Sequence, residues 1–374
     1  MGGRLVDEAS LPWPLLPLDE YLETAANILR RGEVAGVEAA TWEGKRVVAA
    51  LKLIGVAKIP LGGGRYSLED LGLYDDLERN TARVYDSLVS LVRGSWPTPL
   101  LKSRAWSGGT LYLKLESMNP ASLSVKDRAA WMMLETALER GIACEEVCEA
   151  SSGNTGIALA ALAAALGARA TIIVPQGTRE EVKVYLKALG AQVVESEKGL
   201  TVETLREVEL LAEERGCLHL NQFVNDANFI AHVRYTGREL DYQLRSIGAR
   251  PTLLAAGIGT SGHLSGTAFY LANRYPGLRV VAAQPAPGER IPGLRRVETK
   301  PRWLKYAGRV RLVEVTLEEA VGAALRIARS DGVLVGPSTG AALVALEEAA
   351  EEGVAVLVSP DTGFKYPSVF SSLV

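Results

Sequence analysis

A chain of 374 residues, 48% hydrophobic and 23% charged, is long enough to form two lobes that each bury a core. Its 41 basic and 44 acidic side chains leave a formal net charge of −3, which does not favour nucleic acid or anionic lipid as a partner. No apolar run approaches the roughly 18 residues of a membrane span, and the first residues lack the apolar segment of a secretory signal.

The chain contains three cysteines, Cys144, Cys148 and Cys217. An odd and sparse count argues against a disulfide scaffold and for a reducing compartment, so we expect a cytoplasmic protein. We expect the cysteines to pack at the flanks of helices. Because the chain has three histidines and no second cysteine pair, no metal site is expected.

Residues 1–95 are predicted to form an N-terminal extension of short helices and turns. Apolar residues recur at helical spacing over Leu22–Arg31 and Ala82–Val92, and a turn-rich segment at 60–64 lies between them. No residue pattern in this extension indicates chemistry. Packing or a dimer contact is its expected role.

From Pro97 onward, short apolar runs alternate with longer helical patterns. Helices are predicted at Gly156–Leu166 and Arg179–Leu189. The predicted strands are Leu111–Glu116, Ala170–Pro175, Gln192–Glu195, Thr252–Ala256, Leu278–Gln284 and Ala355–Ser359. Such alternation predicts an α/β fold of two lobes, in which parallel-rich sheets are flanked by helices. Ligands of these folds bind beyond the carboxyl ends of the strands.

The first motif, Asn119–Arg128, follows a predicted strand and places Lys126 where a turn gives way to a helix. A lysine that forms an imine must be partly desolvated, so that its amine is free of a proton. Small and apolar neighbours favour that interpretation. Taken alone, the segment leaves open an ordinary surface lysine in a turn.

The second motif crowds hydroxyls and an amide around the start of the helix at 156. Free backbone N–H groups and the helix dipole favour an anion at such a position, and a substrate carboxylate would fit. Simple capping by Ser152 or Asn154 is the alternative. Capping needs only one such residue, whereas the segment supplies four polar side chains and two glycines: Ser151, Ser152, Gly153, Asn154, Thr155 and Gly156.

The third motif, Gly257–His263, lies between a predicted strand and helix and matches G-x-G-x-x-G, a pattern of dinucleotide sites. Such a site needs an acidic residue at the end of the next strand. That strand ends in Gln284-Pro285 instead. The loop is therefore better interpreted as a cradle for one phosphate monoester.

The fourth motif, Gly336–Ala342, places Ser338 where a loop enters a helix. Its hydroxyl could cap the helix, which is the simpler interpretation. It could equally form a hydrogen bond with a ring nitrogen of a ligand.

These four segments, in this order, resemble the fold-type II pyridoxal-phosphate enzymes of the cysteine synthase and cystathionine β-synthase group, over roughly residues 95–374. The resemblance implies that Lys126 holds pyridoxal 5'-phosphate as an imine. It implies that Asn154 holds the cofactor's ring oxygen and that Ser338 meets its pyridine nitrogen. It further assigns the cofactor phosphate to Gly259, Thr260, Ser261, Gly262 and His263. His263 departs from the threonine that the group often has, although its backbone N–H could still bind phosphate.

The same resemblance assigns the substrate carboxylate to one loop and one neighbouring amide, Ser151, Ser152, Gly153, Thr155 and Gln222. It divides the chain into the extension 1–95 and a catalytic region 96–374. Within that region, a smaller lobe at about 135–235 carries the carboxylate loop. A homodimer is the family expectation.

A closer resemblance is to the archaeal O-phosphoserine sulfhydrylases, through NPASLSVKDR, GTSGHLSGTAFYL, IPGLRRVETKPRW and PDTGFKY. It implies that O-phospho-L-serine and sulfide are converted to L-cysteine and phosphate through an aminoacrylate intermediate. It also implies that Arg295 binds the substrate's phosphate, because a guanidinium matches a dianionic leaving group. The alternative is that Arg295 and Arg296 form a surface pair balanced by Glu298.

Other activities of the same scaffold remain open. O-acetylserine sulfhydrylase and cystathionine β-synthase activities would use the same lysine, and threonine synthase also acts on a phosphorylated substrate. A serine or threonine dehydratase would have no need of Arg295. A non-catalytic homologue is disfavoured, because Lys126 and the Ser151–Thr155 loop are intact.

Overall fold

The computed structural model describes residues 3–76, 83–349 and 352–371. Its strands, in chain order, are β1 Arg4–Asp7, β2 Glu33–Ala35, β3 Lys58–Leu61, β4 Arg65–Ser67, β5 Leu100–Ser103, β6 Gly109–Leu115, β7 Glu146–Ala150, β8 Arg169–Val174, β9 Gln192–Glu195, β10 Leu218–His219, β11 Leu253–Gly257, β12 Arg279–Pro285, β13 Val310–Val315 and β14 Gly353–Ser359.

Helices alternate with these strands over most of the chain. They are α1 Asp19–Arg31, α2 Trp42–Ile54, α3 Leu88–Gly94, α4 Lys126–Glu139, α5 Asn154–Ala165, α6 Glu180–Ala188, α7 Leu205–Arg215, α8 Ala227–Ala231, α9 Arg238–Ser246, α10 Gly262–Arg274, α11 Leu317–Asp331, α12 Pro337–Glu348 and α13 Pro367–Phe370, with a π-helical segment at His232–Gly237.

The larger sheet has the strand order β13-β12-β11-β14-β6-β5. All its neighbouring strands are parallel except β5 and β6, which pair antiparallel. Every residue of β11 is buried, as expected where helices cover both faces of a parallel sheet. The predicted α/β fold with parallel-rich sheets is confirmed.

The smaller sheet has the strand order β10-β7-β8-β9, and all its neighbours are parallel. It is formed from residues 146–219 of the chain. Helix α5 packs against β7 and β8 with an almost entirely buried, alanine-rich surface. The carboxyl end of β7 leads directly into the loop that starts α5.

The strands predicted from short apolar runs are confirmed, with ends that differ by one or two residues. Helix α5 starts at Asn154 rather than Gly156, and its N-cap residue is Gly153. Of the predicted segment Ala82–Val92, the structure is helical over Leu88–Gly94, and Ala82 lies outside the described residues. Among those described residues, no helix combines the length and apolarity needed to cross a membrane.

The N-terminal segment packs against the rest of the chain through apolar residues. Leu29 of α1 and Leu53 of α2 belong to the same buried cluster as Tyr270 and Leu271 of α10. Its two small sheets are antiparallel, β1 with β3 and β2 with β4. Apolar burial of this kind stabilises the contact by about 25 cal/mol per Å² removed from water.

An ion pair adds to this contact. Glu8 pairs with Lys52 of α2 and with Arg234 of the π-helical segment, at 3.1 Å in each case. Burial opposes the charge of Glu8, but the two cations outweigh it and lower the pKa of this carboxyl below its ordinary value. Both cations also lie against the ring of Trp13, with 5.5 Å between the Lys52 nitrogen and the ring centre.

The interpretation of the cysteines as helix-flank packing was wrong for two of the three. Cys148 lies in β7 and forms a disulfide with Cys217, which immediately precedes β10. These strands are neighbours, so the two Cα atoms lie 5.8 Å apart although 69 positions separate them in sequence. The bond also removes the cysteine count as an argument for a reducing compartment.

The disulfide predicts a measurable thiol count. Unreduced, denatured protein should contain one thiol that reacts with Ellman's reagent, Cys144, and reduction should raise the number to three. Because the bond closes a long loop, Cys217→Ser should lower the free energy of unfolding by about 2–4 kcal/mol in the absence of reductant. Cys144→Ser is the control, and its stability should respond to reductant as the parent protein does. Three reactive thiols before reduction would contradict the bond.

Candidate active site

Lys126 is the first residue of α4, as its position between a turn and a helix predicts. The loop before it is held by Asp127, whose carboxylate accepts the N–H groups of Ala121 at 2.6 Å and Ser122 at 2.8 Å. Val125 donates its N–H at 2.8 Å to the carbonyl of Pro360, the residue after β14. These bonds place Lys126 at the carboxyl end of the larger sheet.

The ammonium of Lys126 is destabilised by its surroundings. Burial lowers the pKa of Lys126 from 10.5 to about 8; Asp361 opposes this shift and Lys365 adds to it. An amine with this pKa is partly unprotonated near neutral pH, as a nucleophile or general base requires. This shift is in the direction that an imine-forming lysine requires.

The loop after β7 brings together residues of the second motif. Gly153 is the N-cap residue of α5 and supplies no side chain, while the Ser151 hydroxyl before it accepts the N–H groups of Gly153 at 3.2 Å and Gly156 at 2.9 Å. The capping alternatives Ser152 and Asn154 are thus wrong. Ser152 is exposed, and its hydroxyl accepts a hydrogen bond from Thr201 at 3.1 Å.

Thr155 and Gln222 meet across this loop. The Thr155 hydroxyl donates to Oε1 of Gln222 at 2.6 Å, and Nε2 of Gln222 donates to the Ala150 carbonyl at 3.0 Å. Both side chains are almost fully buried. The structure therefore joins Gln222, which is distant in sequence, to the start of α5, where unpaired helical N–H groups favour an anion.

Asn154 faces the other way, toward the end of β14. Its side-chain nitrogen donates to Asp361 at 2.6 Å, and its side-chain oxygen accepts from Lys365 at 2.7 Å. Tyr366 also donates its hydroxyl to Asp361. Sequence reasoning assigned no role to Asp361, Lys365 or Tyr366, although the segment PDTGFKY that contains them carried part of the family resemblance.

The Gly257–His263 loop connects β11 to α10. Ser261 has a positive φ of 72°, the left-handed conformation that lets the loop turn into the helix. The Thr260 hydroxyl accepts from the Asn228 amide at 3.1 Å, and the Ser261 hydroxyl accepts from the Trp303 N–H at 3.1 Å. Free N–H groups in the first turn of a helix such as α10 suit a phosphate.

His263 lies in the first turn of α10 and is only 4% exposed. Its Nε2 atom is buried and has no hydrogen-bond partner among the described residues. Burial lowers the pKa of His263 to about 3, with a smaller contribution from Lys126, so the ring is neutral near pH 7. Because a buried polar atom is normally paired, this nitrogen indicates a missing ligand.

Ser338 occupies the second position of α12 and is 4% exposed. Gly336 precedes this helix without a side-chain cap, and Pro337 fills its first position. The hydroxyl of Ser338 is therefore not the cap of α12. The other interpretation, a hydrogen bond to a ligand, is the one that stays a prediction.

Arg295 and Arg296 are adjacent in sequence but differ in their partners. Arg296 pairs with Glu298 at 2.9 Å and with Glu314 at 2.7 Å. The guanidinium of Arg295 lies 4.9 Å from the ring centre of Phe223, and no carboxylate of the described residues pairs with it. The Arg295 N–H donates to the carbonyl of Ile258 at 2.6 Å, which ties this residue to the Gly257–His263 loop.

Comparison with known proteins identifies the family of this chain. A family model described as "Pyridoxal-phosphate dependent enzyme" matches residues 91–361. A cysteine synthase of Aquifex aeolicus is 38% identical over 273 residues, which are 68% of this chain and 82% of that protein. Cysteine synthase B of Pseudomonas aeruginosa is 37% identical over 284 residues, 72% of this chain and 93% of its own. The chain belongs to the pyridoxal-phosphate-dependent enzymes.

Solved structures agree. The crystal structure of O-ureido-L-serine synthase matches with a TM-score of 0.71 and 29% sequence identity, over 78% of this chain and 96% of that one. The fold of this pyridoxal-phosphate-dependent enzyme is that of fold-type II, and its relatives place it with the cysteine synthases.

Pyridoxal 5'-phosphate is the cofactor of this family, and the described residues fit it. Lys126 supplies an amine of lowered pKa that can form an imine with an aldehyde. The unpaired Nε2 atom of His263, which donates in the tautomer that carries the proton there, and the N–H groups of the first turn of α10 suit a phosphate. When bound, the cofactor supplies the capacity to take up an electron pair from the substrate's α-carbon.

The lowered pKa of Lys126 can be tested by chemical labelling of the cofactor-free protein. Only the neutral amine reacts in reductive methylation, so labelling of Lys126 should rise with pH and reach half its maximum near pH 8. Peptide mass spectrometry would give this midpoint, with exposed lysines of the same sample as reference, since an unperturbed lysine titrates near ~10.4. A midpoint for Lys126 equal to that of the exposed lysines would contradict the desolvation.

Proposed function

We propose that this enzyme replaces the phosphate of O-phospho-L-serine with sulfide and releases L-cysteine. The bond between the β-carbon and the phosphate oxygen breaks, and a bond between the β-carbon and sulfur forms in its place. The observation that carries the choice of substrate is the guanidinium of Arg295, which has no acidic partner among the described residues.

The neighbourhood of Arg295 supports this choice. Its ring partner Phe223 follows Gln222, which contacts Thr155 of the carboxylate loop, and its backbone is bonded to Ile258 of the loop before α10. Arg295 therefore lies between two loops to which the proposal assigns anionic groups. Burial without a counter-charge lowers the pKa of Arg295 and leaves its positive charge unbalanced. A phosphate dianion would balance this charge and accept two parallel hydrogen bonds.

The proposal gives Lys126 two roles. Its amine binds the cofactor before the substrate arrives, and once displaced by the substrate's amino group it removes the α-proton and later returns it. The substrate carboxylate is held by the N-terminus of α5 and the groups around it, Ser151, Ser152, Gly153, Thr155 and Gln222. Orientation by these groups keeps the α-proton in reach of the amine of Lys126.

The remaining groups are assigned to the cofactor. Asn154 donates to its ring oxygen, and Ser338 meets its pyridine nitrogen. A carboxylate at that position would keep the pyridine nitrogen protonated, whereas the neutral hydroxyl of Ser338 would not. The unprotonated nitrogen favours prompt loss of the β-substituent. The phosphate is assigned to the backbone and side-chain donors of one loop, Gly259, Thr260, Ser261, Gly262 and His263.

The proposal extends to the organisation of the chain. Residues 96–374 form the catalytic region, with the smaller lobe at about 135–235, and residues 1–95 are an extension that contributes packing or a dimer contact. A homodimer and a cytoplasmic location complete the proposal, and family resemblance supports both. Sedimentation analysis of the purified protein would show whether it is a homodimer.

The adjacent arginines provide a matched test of substrate choice. Arg295→Met should lower kcat/KM for O-phosphoserine by about 10- to 100-fold, because a hydrogen-bonded charge pair is lost, and should change kcat/KM for O-acetylserine little. Arg296→Met removes the same charge one residue away, from a group already paired with Glu298 and Glu314. It should leave the ratio of the two donors within about twofold of the parent.

Cysteine formation with each donor would be followed at saturating sulfide. Equal losses for both donors in Arg295→Met would mean that Arg295 has a general structural role. A parent enzyme that prefers O-acetylserine or uses homocysteine better than sulfide would replace the proposed substrate with one of those of the related enzymes. Absence of cysteine formation in Lys126→Ala is expected in every case.

A further inference from the structure

The segment that follows β14 carries a second buried lysine close to Lys126. Lys365 is 8% exposed, and its ammonium donates to the carbonyl of Ser122 and, at 2.7 Å, to the side-chain oxygen of Asn154. Both acceptors are neutral. Burial lowers the pKa of Lys365, and the carboxylates of Asp361 and Asp127 act against the shift. Burial of an ammonium against two neutral oxygens costs free energy, so Lys365 is not an ordinary solvated surface lysine.

The partners of the Asn154 carboxamide determine which of its two end atoms is the oxygen and which is the nitrogen. An ammonium has donors only, so its partner must be the oxygen. A carboxylate has acceptors only, so the contact with Asp361 at 2.6 Å must be made by the nitrogen. Lys365 and Asp361 therefore fix the amide from opposite ends, and its nitrogen is the group turned to acceptors.

We propose that Lys365 is a positioning residue that holds the Asn154 carboxamide with its nitrogen available as a donor to the cofactor. This inference rests on the proposed assignment of Asn154 to the cofactor's ring oxygen, and it adds the residue that orients Asn154. Without the ammonium, only the contact with Asp361 would hold the amide, and the carboxamide could turn about its side-chain bonds until its nitrogen no longer reaches the cofactor's ring oxygen, which loses that hydrogen bond.

The other contact of Lys365 supports this role. Ser122 lies in the loop that Asp127 holds in front of Lys126, whereas Asn154 starts α5 beside the smaller sheet. One ammonium thus joins the loop of Lys126 to the first residue of α5. Because the aliphatic part of the Lys365 side chain is buried, it can adopt few other conformations. It therefore also fixes the distance between the loop before Lys126 and the start of α5.

The experiment uses the cofactor itself as the probe. Protein freed of cofactor is titrated with pyridoxal 5'-phosphate, and the visible absorption band and the dissociation constant are recorded for Lys365→Met, Lys365→Gln and Lys365→Arg. Each is also made together with Asn154→Ala. Thermal denaturation of the cofactor-free proteins identifies any variant that does not fold.

Lys365→Met should weaken cofactor binding about tenfold and shift the visible band, because the amide loses its orienting charge. Lys365→Arg keeps a cation and should restore both toward the parent values. In the Asn154→Ala background the same Lys365→Met change should alter the dissociation constant less than about twofold, since a residue that acts through Asn154 has nothing left to orient.

Equal losses in the two backgrounds would overturn the inference, as would a Lys365→Met protein with the parent's band and affinity. If Lys365→Met does not fold, the comparison passes to Lys365→Gln, which keeps a neutral donor one bond shorter. Lys365→Arg must then bind the cofactor more tightly than Lys365→Gln, and the reverse order overturns the inference.

If the parent's visible band persists in Lys126→Ala, the underlying site assignment has failed. A Lys126-dependent band that Lys365→Met leaves unchanged contradicts this inference alone.

Discussion

A buried cluster of four charged side chains holds the helix turn that carries Lys126. Arg128 of α4 pairs with Glu116 at 2.6 Å and with Glu239 of α9 at 2.5 Å, and Glu239 also pairs with Lys114 of β6 at 2.8 Å. All four side chains are fully buried, and their charges sum to zero. Burial opposes ionisation of Glu239, yet the two cations outweigh it and keep the pKa of this carboxyl below its ordinary value. Because Arg128 is in the same helical turn as Lys126, this cluster fixes the direction from which the amine enters the site.

Buried pairs of this kind contribute little net stability compared with apolar packing. Removal of one partner, however, leaves an unpaired buried charge and lowers the free energy of unfolding by about 3–5 kcal/mol. Their value here is geometric. Glu116 follows β6, Lys114 lies within that strand and Arg128 lies in the first turn of α4, so one cluster connects the sheet to α4. A site that relies on the position of a single amine gains from an anchor with directional hydrogen bonds, which apolar contacts cannot supply.

Much of the fold could be predicted from the sequence, because its signals are local. Buried parallel strands appear as short apolar runs, and the start of α4 at Lys126 and of α10 after the glycine-rich loop follow from turn residues next to helical patterns. What could not be predicted is set by tertiary neighbours. Nothing near Cys148 indicates that the partner strand carries Cys217. Likewise, the different surroundings of Arg295 and Arg296 arise from Phe223 and Glu314, which only the fold brings to them.

The segment after β14 shows how a local motif acquires a function through such neighbours. Asp361 and Lys365 carry opposite charges, and they shift the pKa of Lys126 in opposite directions while burial remains the larger influence. Together they leave the pKa of Lys126 to be decided by desolvation. They also bond to opposite ends of the Asn154 amide. One short segment thereby contacts the Asn154 amide at both ends and places two opposite charges near the amine of Lys126.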